Sequence, residues 1–195
     1  KRTVDYRPNY DGQTFEPVAE LEPRAGPAIS LLAMFTDRDG DGDADLLVPS
    51  DRPFPPLGPT AFFRNDGAGP SGPVLIDDAP EVSADLYVGG MGIASNDLNA
   101  DGRLDYCITD YEPVLRCLIS DVDTDSFIHM GLALGLSTDP SAHPGFDSFS
   151  WDGWSLELVD LDNDGVLDMV AAAGSPDTPG SPVRPDAIWQ GRLTS

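Results

Sequence analysis

The chain has 195 residues, 40% of them hydrophobic, enough for one ordinary domain core and outside the range of disordered chains. Its 34 acids against 11 bases give a net charge of −23, so neither nucleic acid nor an anionic membrane surface is expected as a partner. No apolar run approaches the roughly 20 residues of a membrane span, and 20 glycines with 19 prolines favour short strands and turns over long helices.

In chain order, Phe15–Leu21 reads as an outer strand left over from a preceding or closing unit, which assigns residues 1–24 to that role. A semi-apolar run, Ala28 to Phe35, then leads into an acidic loop. Strand-like Leu46-Leu47-Val48, Ala61-Phe62-Phe63 and Val74-Leu75-Ile76 follow, giving a first unit over 25–85. The order repeats over 86–146. Val88 to Ala94 precedes a second acidic loop, and Tyr106-Cys107-Ile108, Val114 to Cys117 and Phe127 to Met130 follow it. It repeats again over 147–195, with Trp154 to Val159, a third loop, Met169-Val170-Ala171 and Ala187-Ile188-Trp189, but no fourth strand. The chain begins at Lys1 without an evident signal peptide, as a processed product or an excised segment would.

The loops are the informative feature. They run Asp37 to Asp45, Asp97 to Asp105 and Asp160 to Asp168, and each has nine positions. Positions 1, 3 and 5 carry Asp37, Asp39 and Asp41, then Asp97, Asn99 and Asp101, then Asp160, Asp162 and Asp164. Position 6 is always glycine, and position 9 is Asp45, Asp105 or Asp168. Alternating acidic side chains in a tightly curled segment point successive oxygens inward, and glycine permits the sharp turn. Position 7, occupied by Asp43, Arg103 and Val166, would contribute only its carbonyl, which explains the variety there.

All-oxygen donors suit calcium, which takes 6–8 such ligands at about 2.3–2.6 Å in irregular geometry. Zinc would call for His or Cys, and the loops have neither. Magnesium would demand a tighter octahedron. An EF-hand shares positions 1 to 6 but needs a bidentate Glu at position 12 and flanking helices. That position holds Val48, Ile108 and Ala171, each in a strand-like run. The expectation is about three calcium ions per chain, with the second loop weakest because Asn99 replaces an acid and Arg103 adds a positive charge.

One four-stranded antiparallel sheet buries a single face well and must stack on a neighbour. Four-stranded units recurring at this spacing predict an all-β chain, a β-propeller of antiparallel blades, with a sandwich as the runner-up. Three blades fall short of the 4–8 usual for propellers. The reading is therefore part of a larger propeller, or self-association that completes a ring.

The loops and the strands behind them resemble the FG-GAP/VCBS repeat family, whose motif is Asp-x-Asp/Asn-x-Asp-Gly-x-x-Asp-Leu. Leu46 keeps the final leucine, whereas Tyr106 and Met169 replace it. Gly92 and Gly153 stand where the Phe-Gly element would, and Gly174-Ser175-Pro176 loosely resembles the Gly-Ala-Pro element. Met91 to Ala94, Phe63 to Gly67 and Pro185 to Trp189 are similar to blades of the cartilage-acidic-protein-like (CRTAC/ASPIC-UnbV) group. The resemblance implies a secreted, extracellular or periplasmic calcium-binding scaffold. Such a scaffold is non-enzymatic and serves adhesion or recognition of a protein or glycan.

Cys107 and Cys117 flank a turn and would face each other across a hairpin, as a disulfide of an oxidising compartment or as two unbonded core residues. His129 and His143 are expected to be solvated or at the core edge. Trp154 and Trp189 are expected between units, whereas Trp151 and the long stretch Ser137 to Ser150 are surface candidates. Asp121 to Asp125 lacks the loop glycine and reads as an acidic turn. The competing function is a calcium-dependent polysaccharide lyase or hydrolase, for which Thr36, Ser95 and Glu157 are the polar candidates on innermost strands.

Overall fold

The computed structural model of the protein describes residues 21, 28–51, 57–70, 72–111, 114–137, 152–174 and 186–193. The strand expected over Phe15–Leu21, Leu21 itself apart, lies outside these residues, as do His143, Phe146, Phe149 and Trp151. Among the described residues every regular element is a strand. The eleven strands form three antiparallel sheets, none of which closes on itself.

Sheet I is the meander β1 (Met34–Thr36), β2 (Asp45–Val48), β3 (Ala61–Gly69) and β4 (Gly72–Asp77). Sheet II repeats it with β5 (Ile93–Asn96), β6 (Asp105–Ile108), β7 (Arg116–Asp121) and β8 (Ser126–His129). Sheet III has β9 (Gly153–Val159), β10 (Asp168–Ala173) and β11 (Ala187–Trp189). The sheets fall within the three units read from the sequence. In each one the nine-residue loop joins the first strand to the second, because position 9 is itself the first residue of β2, β6 or β10. Boundaries differ from expectation where packing decides them. The third strand of sheet II starts at Arg116, while Val114 makes only an isolated bridge to Ser137.

Strand alternation puts successive side chains on opposite faces, and sheet II uses both. Tyr106, Ile108 and Leu118 join Leu47 and Phe62 of sheet I in one core. Cys107, Cys117 and Ile119 join Leu156, Met169 and Ala171 of sheet III in another. The first core is centred on three rings. Phe62 and Tyr106 meet edge-on at 5.3 Å, Tyr106 and Phe127 at 5.6 Å, and Phe62 lies near-parallel to Phe127 at 6.1 Å. Each pair contributes about 0.5–1.5 kcal/mol beyond its burial. The connector after β4 also enters this core through Ala79, Val82, Ala84 and Val88, and Phe127 donates its N–H to the Val82 carbonyl at 2.9 Å.

Glycines let the sheets approach near their first strands. A Cβ on Gly92 would lie 2.8 Å from Ser155 Cα, and one on Gly90 would lie 2.6 Å from Pro49 Cβ. Gly90 N–H instead donates to the Ser50 carbonyl at 2.9 Å. Cys107 and Cys117 face each other in register on β6 and β7 and are joined by a disulfide whose two residues are almost fully buried. That pairing is compatible with an oxidising environment. No described helix is long and apolar enough to cross a membrane.

Trp189 packs against the core between sheets II and III. Trp154 does not: it is exposed, with its indole N–H donating to the Gly174 carbonyl at 3.2 Å. A register shift in β9 explains this: Ser155 pairs with Ala172 and Gly153 with Ala173, so Trp154 is left out of the ladder as a bulge and does not share the inward face of Leu156.

Candidate metal centres

The three loops share most of their hydrogen bonds; they differ in the second N–H on position 1, which comes from position 4 in loop 1 (Gly40 at 3.0 Å) and from position 5 in loops 2 and 3 (Asp101 at 3.0 Å, Asp164 at 3.1 Å). At position 1, one carboxylate oxygen accepts the position-6 glycine N–H: Gly42 to Asp37 at 3.2 Å, Gly102 to Asp97 at 2.9 Å and Gly165 to Asp160 at 2.9 Å. At position 3, Asp39, Asn99 and Asp162 each accept the N–H of position 5, at 3.3, 3.1 and 3.2 Å. At position 5, Asp41, Asp101 and Asp164 each accept the N–H of position 7, from Asp43, Arg103 and Val166, all at 2.8 Å. These bonds curl the backbone in the same sense in each loop.

Two positions carry the tight curvature. Glycine at position 6 has φ of +92°, +86° and +87° in the three loops. Position 4 is left-handed as well, although only the first loop has glycine there. Gly40, Ala100 and Asn163 have φ of +77°, +58° and +60°. Asparagine tolerates that region, whereas alanine is strained in it by roughly 1–2 kcal/mol.

Position 9 has a distinct task. Asp45, Asp105 and Asp168 are 0%, 0% and 3% exposed. One oxygen of each accepts the N–H of position 2, from Arg38 at 2.9 Å, Leu98 at 2.7 Å and Leu161 at 2.9 Å. The other accepts a backbone N–H from the third strand or just beyond it, from Asn65 at 2.8 Å, Ser120 at 2.7 Å and Gly191 at 2.8 Å. The position-9 carboxylate therefore closes its loop and pins that loop to its own sheet. Burial raises the Asp105 carboxyl above its ordinary value, and the Ser120 and Leu98 N–H groups partly offset this.

The donor sets suit a hard cation. In loop 1, carboxylate oxygens of Asp37, Asp39 and Asp41 converge to within 4.8 Å of one another, and in loop 3 those of Asp160, Asp162 and Asp168 do the same. A carboxylate has about four acceptor sites, so one or two N–H bonds leave room for an ion. Burial, with the neighbouring Asp45 and Asp41 charges, raises the Asp39 carboxyl. The negative charges crowd one another when no cation offsets them.

Loop 2 differs. The Asn99 amide donates to Asp101 Oδ2 at 2.8 Å, and the Ser120 hydroxyl donates to the same oxygen at 3.0 Å. With the Arg103 N–H as the leading cause, these donors hold the Asp101 carboxyl below its ordinary value. The Arg103 guanidinium is drawn to Asp125 Oδ1 at 2.7 Å. Loop 2 thus offers one carboxylate fewer and already neutralises part of its charge internally.

The remaining candidates are dispersed. Asp121 to Asp125 forms the turn expected of it, with Asp121 accepting from Asp123 N at 3.1 Å and Thr124 Oγ1 at 2.7 Å. His129 lies exposed on β8 with Nε2 at 2.7 Å from the Ser83 carbonyl. The Thr36 hydroxyl is engaged by Tyr106 Oη at 2.7 Å, Ser95 is half-buried, and Glu157 is exposed on β9. The third-strand donors to position 9 were not legible beforehand, because Asn65, Ser120 and Gly191 lie 20, 15 and 23 residues from their carboxylates. Comparison with protein-family models and with curated proteins finds no match for the chain.

Proposed function

We propose that the chain is a calcium-binding, non-enzymatic extracellular module of the FG-GAP/VCBS type. On this reading its three sheets are consecutive blades of a β-propeller that presents loops to a protein or glycan partner. The observation that carries the proposal is the set of backbone bonds to positions 1, 3, 5 and 9 that all three loops share, with carboxylate oxygens converging in loops 1 and 3. A solvated acidic turn has no reason to repeat a left-handed fourth residue and a buried, doubly bonded ninth.

Further features support the propeller reading. Sheets I and II are four-stranded meanders in sequence order, sheet III is a three-stranded one among the described residues, and sheet II is covered on one face by sheet I and on the other by sheet III. β5 of sheet II lies against β9 of sheet III, which fits first strands gathered near one axis. The buried disulfide fits secretion.

Calcium here would be structural. Bound among carboxylates that otherwise repel one another, it rigidifies the loops and stabilises the native state by mass action. At a free concentration 100-fold above Kd, that is about 2.7 kcal/mol per loop. Thermal melts with calcium and with a chelator test this. The expected result is a large fall in Tm on chelation, restored by calcium and not by an equal ionic strength of sodium. A melt indifferent to chelation would refute a structural role for the ion.

A further inference from the structure

Loops 1 and 2 are joined by a buried polar link that loops 2 and 3 lack. Thr36 immediately precedes the opening Asp37 of loop 1, and Tyr106 immediately follows the closing Asp105 of loop 2. Their hydroxyls lie 2.7 Å apart across the interface of sheets I and II, with Tyr106 fully buried and Thr36 8% exposed. The Tyr106 ring is held by Phe62 and Phe127, and the Arg38 guanidinium of loop 1 lies over Phe62 at 5.4 Å. Arg38 and Arg103 also line one small cavity with Ser120 and Phe127, so a residue of each loop borders the same space. At the next interface, Asn96 and Met169 hold the places of Thr36 and Tyr106, and a thioether is at most a weak acceptor.

We infer that cation binding at loops 1 and 2 is positively coupled through the Thr36–Tyr106 hydrogen bond, while loop 3 binds independently. This rests on the calcium reading above. The bridge is a two-state element, formed or broken, and each loop biases it. An ion in loop 2 tightens the curled segment whose end, Asp105, is anchored to the Leu98 and Ser120 N–H groups, and so narrows the range of the Tyr106 backbone and the direction of its hydroxyl. That hydroxyl fixes Thr36, and with it the backbone that aims Asp37 into loop 1. The ordering cost of loop 1 is then partly met before its own ion arrives, and by linkage the effect is reciprocal. Repulsion between the ions does not cancel this. Loop 1 carries five aspartates and one arginine, and loop 2 three aspartates and one arginine, so the pair stays net negative with both dications bound.

The test is a calcium chloride titration of the decalcified chain followed by NMR at the Gly42 amide, which reports loop 1 alone. Asp97→Asn, which cripples loop 2, is expected to weaken calcium binding at loop 1 by about five-fold or more, the lower end of ordinary coupling between sites. Asp160→Asn, which cripples loop 3, is expected to change it by less than about two-fold. In a Tyr106→Phe background, where the ring stays and only the hydroxyl is lost, Asp97→Asn should no longer affect loop 1. Thr36→Val provides the same deletion from the other side, should Tyr106→Phe fail to fold. Indifference of loop 1 to Asp97→Asn would overturn the coupling, as would an effect that persists without the hydroxyl bridge. A Gly42 amide that never responds to calcium would instead remove the calcium reading on which the coupling rests.

Discussion

Replacing Asp105 with alanine should destabilise the protein even when no cation is present. Its side chain is fully buried, and its two oxygens satisfy the N–H groups of Leu98 and Ser120, each at 2.7 Å. Truncation removes both acceptors and leaves two buried donors. An unsatisfied buried donor costs about 1–3 kcal/mol, so the expected loss is about 2–6 kcal/mol, a large part of the 5–15 kcal/mol available to a typical domain. Asp105→Asn keeps one acceptor and points an amide donor at the other N–H, so it should recover part of the loss. Asp41→Ala is the control. Its carboxylate is exposed and bonds only within the loop, so in chelator it should cost less than about 1 kcal/mol, the scale of one ordinary hydrogen bond. Urea unfolding in chelator, repeated in calcium, separates the two. Asp105→Ala should lose stability in both media, and Asp41→Ala chiefly in calcium. A loss below about 1 kcal/mol for Asp105→Ala in chelator would refute the assignment of position 9 as the loop's clamp.

Ala100→Gly should raise stability by about 0.5–1 kcal/mol in chemical unfolding, because relief at φ +58° outweighs the added chain entropy; a loss would mean the left-handed conformation carries no strain. The disulfide closes ten residues of sequence, and the double substitution of Cys107 and Cys117 by serine should cost about 2–3 kcal/mol. With both residues almost fully buried, thiol reductants should react slowly with the native protein and rapidly once urea unfolds it. Acidification should act in opposite senses with and without calcium. Asp39, Asp78 and Asp105 have folded values raised above 3.8 by burial. The native state therefore binds their protons more readily than the unfolded chain does, and in chelator stability should rise as pH falls toward 3.8 through their raised values. Asp101, held below 3.8, contributes stability that is lost only below that value. In calcium, protons compete with the ion and the same acidification should lower Tm.

Periodicity and the spacing of the loops carried most of the fold. Four apolar strand runs around each of the first two acidic loops and three around the last, in the same order, were enough to place the eleven described strands in three sheets. The curled loops were legible because side-chain oxygens and a glycine recur at the same positions in all three. Other features were hidden for physical reasons. The left-handed turn at position 4 carries no fixed residue type, since Gly40, Ala100 and Asn163 all adopt it. Position 9 read as one more ligand because its partners are main-chain N–H groups, which leave no mark on residue identity. The connector holding Ala79, Val82 and Ala84 has only three small or medium apolar residues scattered among Asp, Pro, Glu and Ser, too few for a strand signal, yet it is wedged into the core between sheets I and II. Trp154 misled because a large aromatic favours burial on average, while the bulge in β9 between Gly153 and Ser155 turned it outward, and a bulge leaves no mark in the apolar pattern.

Calorimetric titration of calcium into the decalcified chain, with the mass recorded by light scattering on the same sample, tests the central claim most directly. The account predicts about three sites per chain, the ligand sets being oxygen throughout, with loop 2 binding more weakly than loop 3. No heat of binding at millimolar calcium, or a single site unaffected by Asp164→Ala and by Asp41→Ala, would contradict it and reduce the loops to acidic turns.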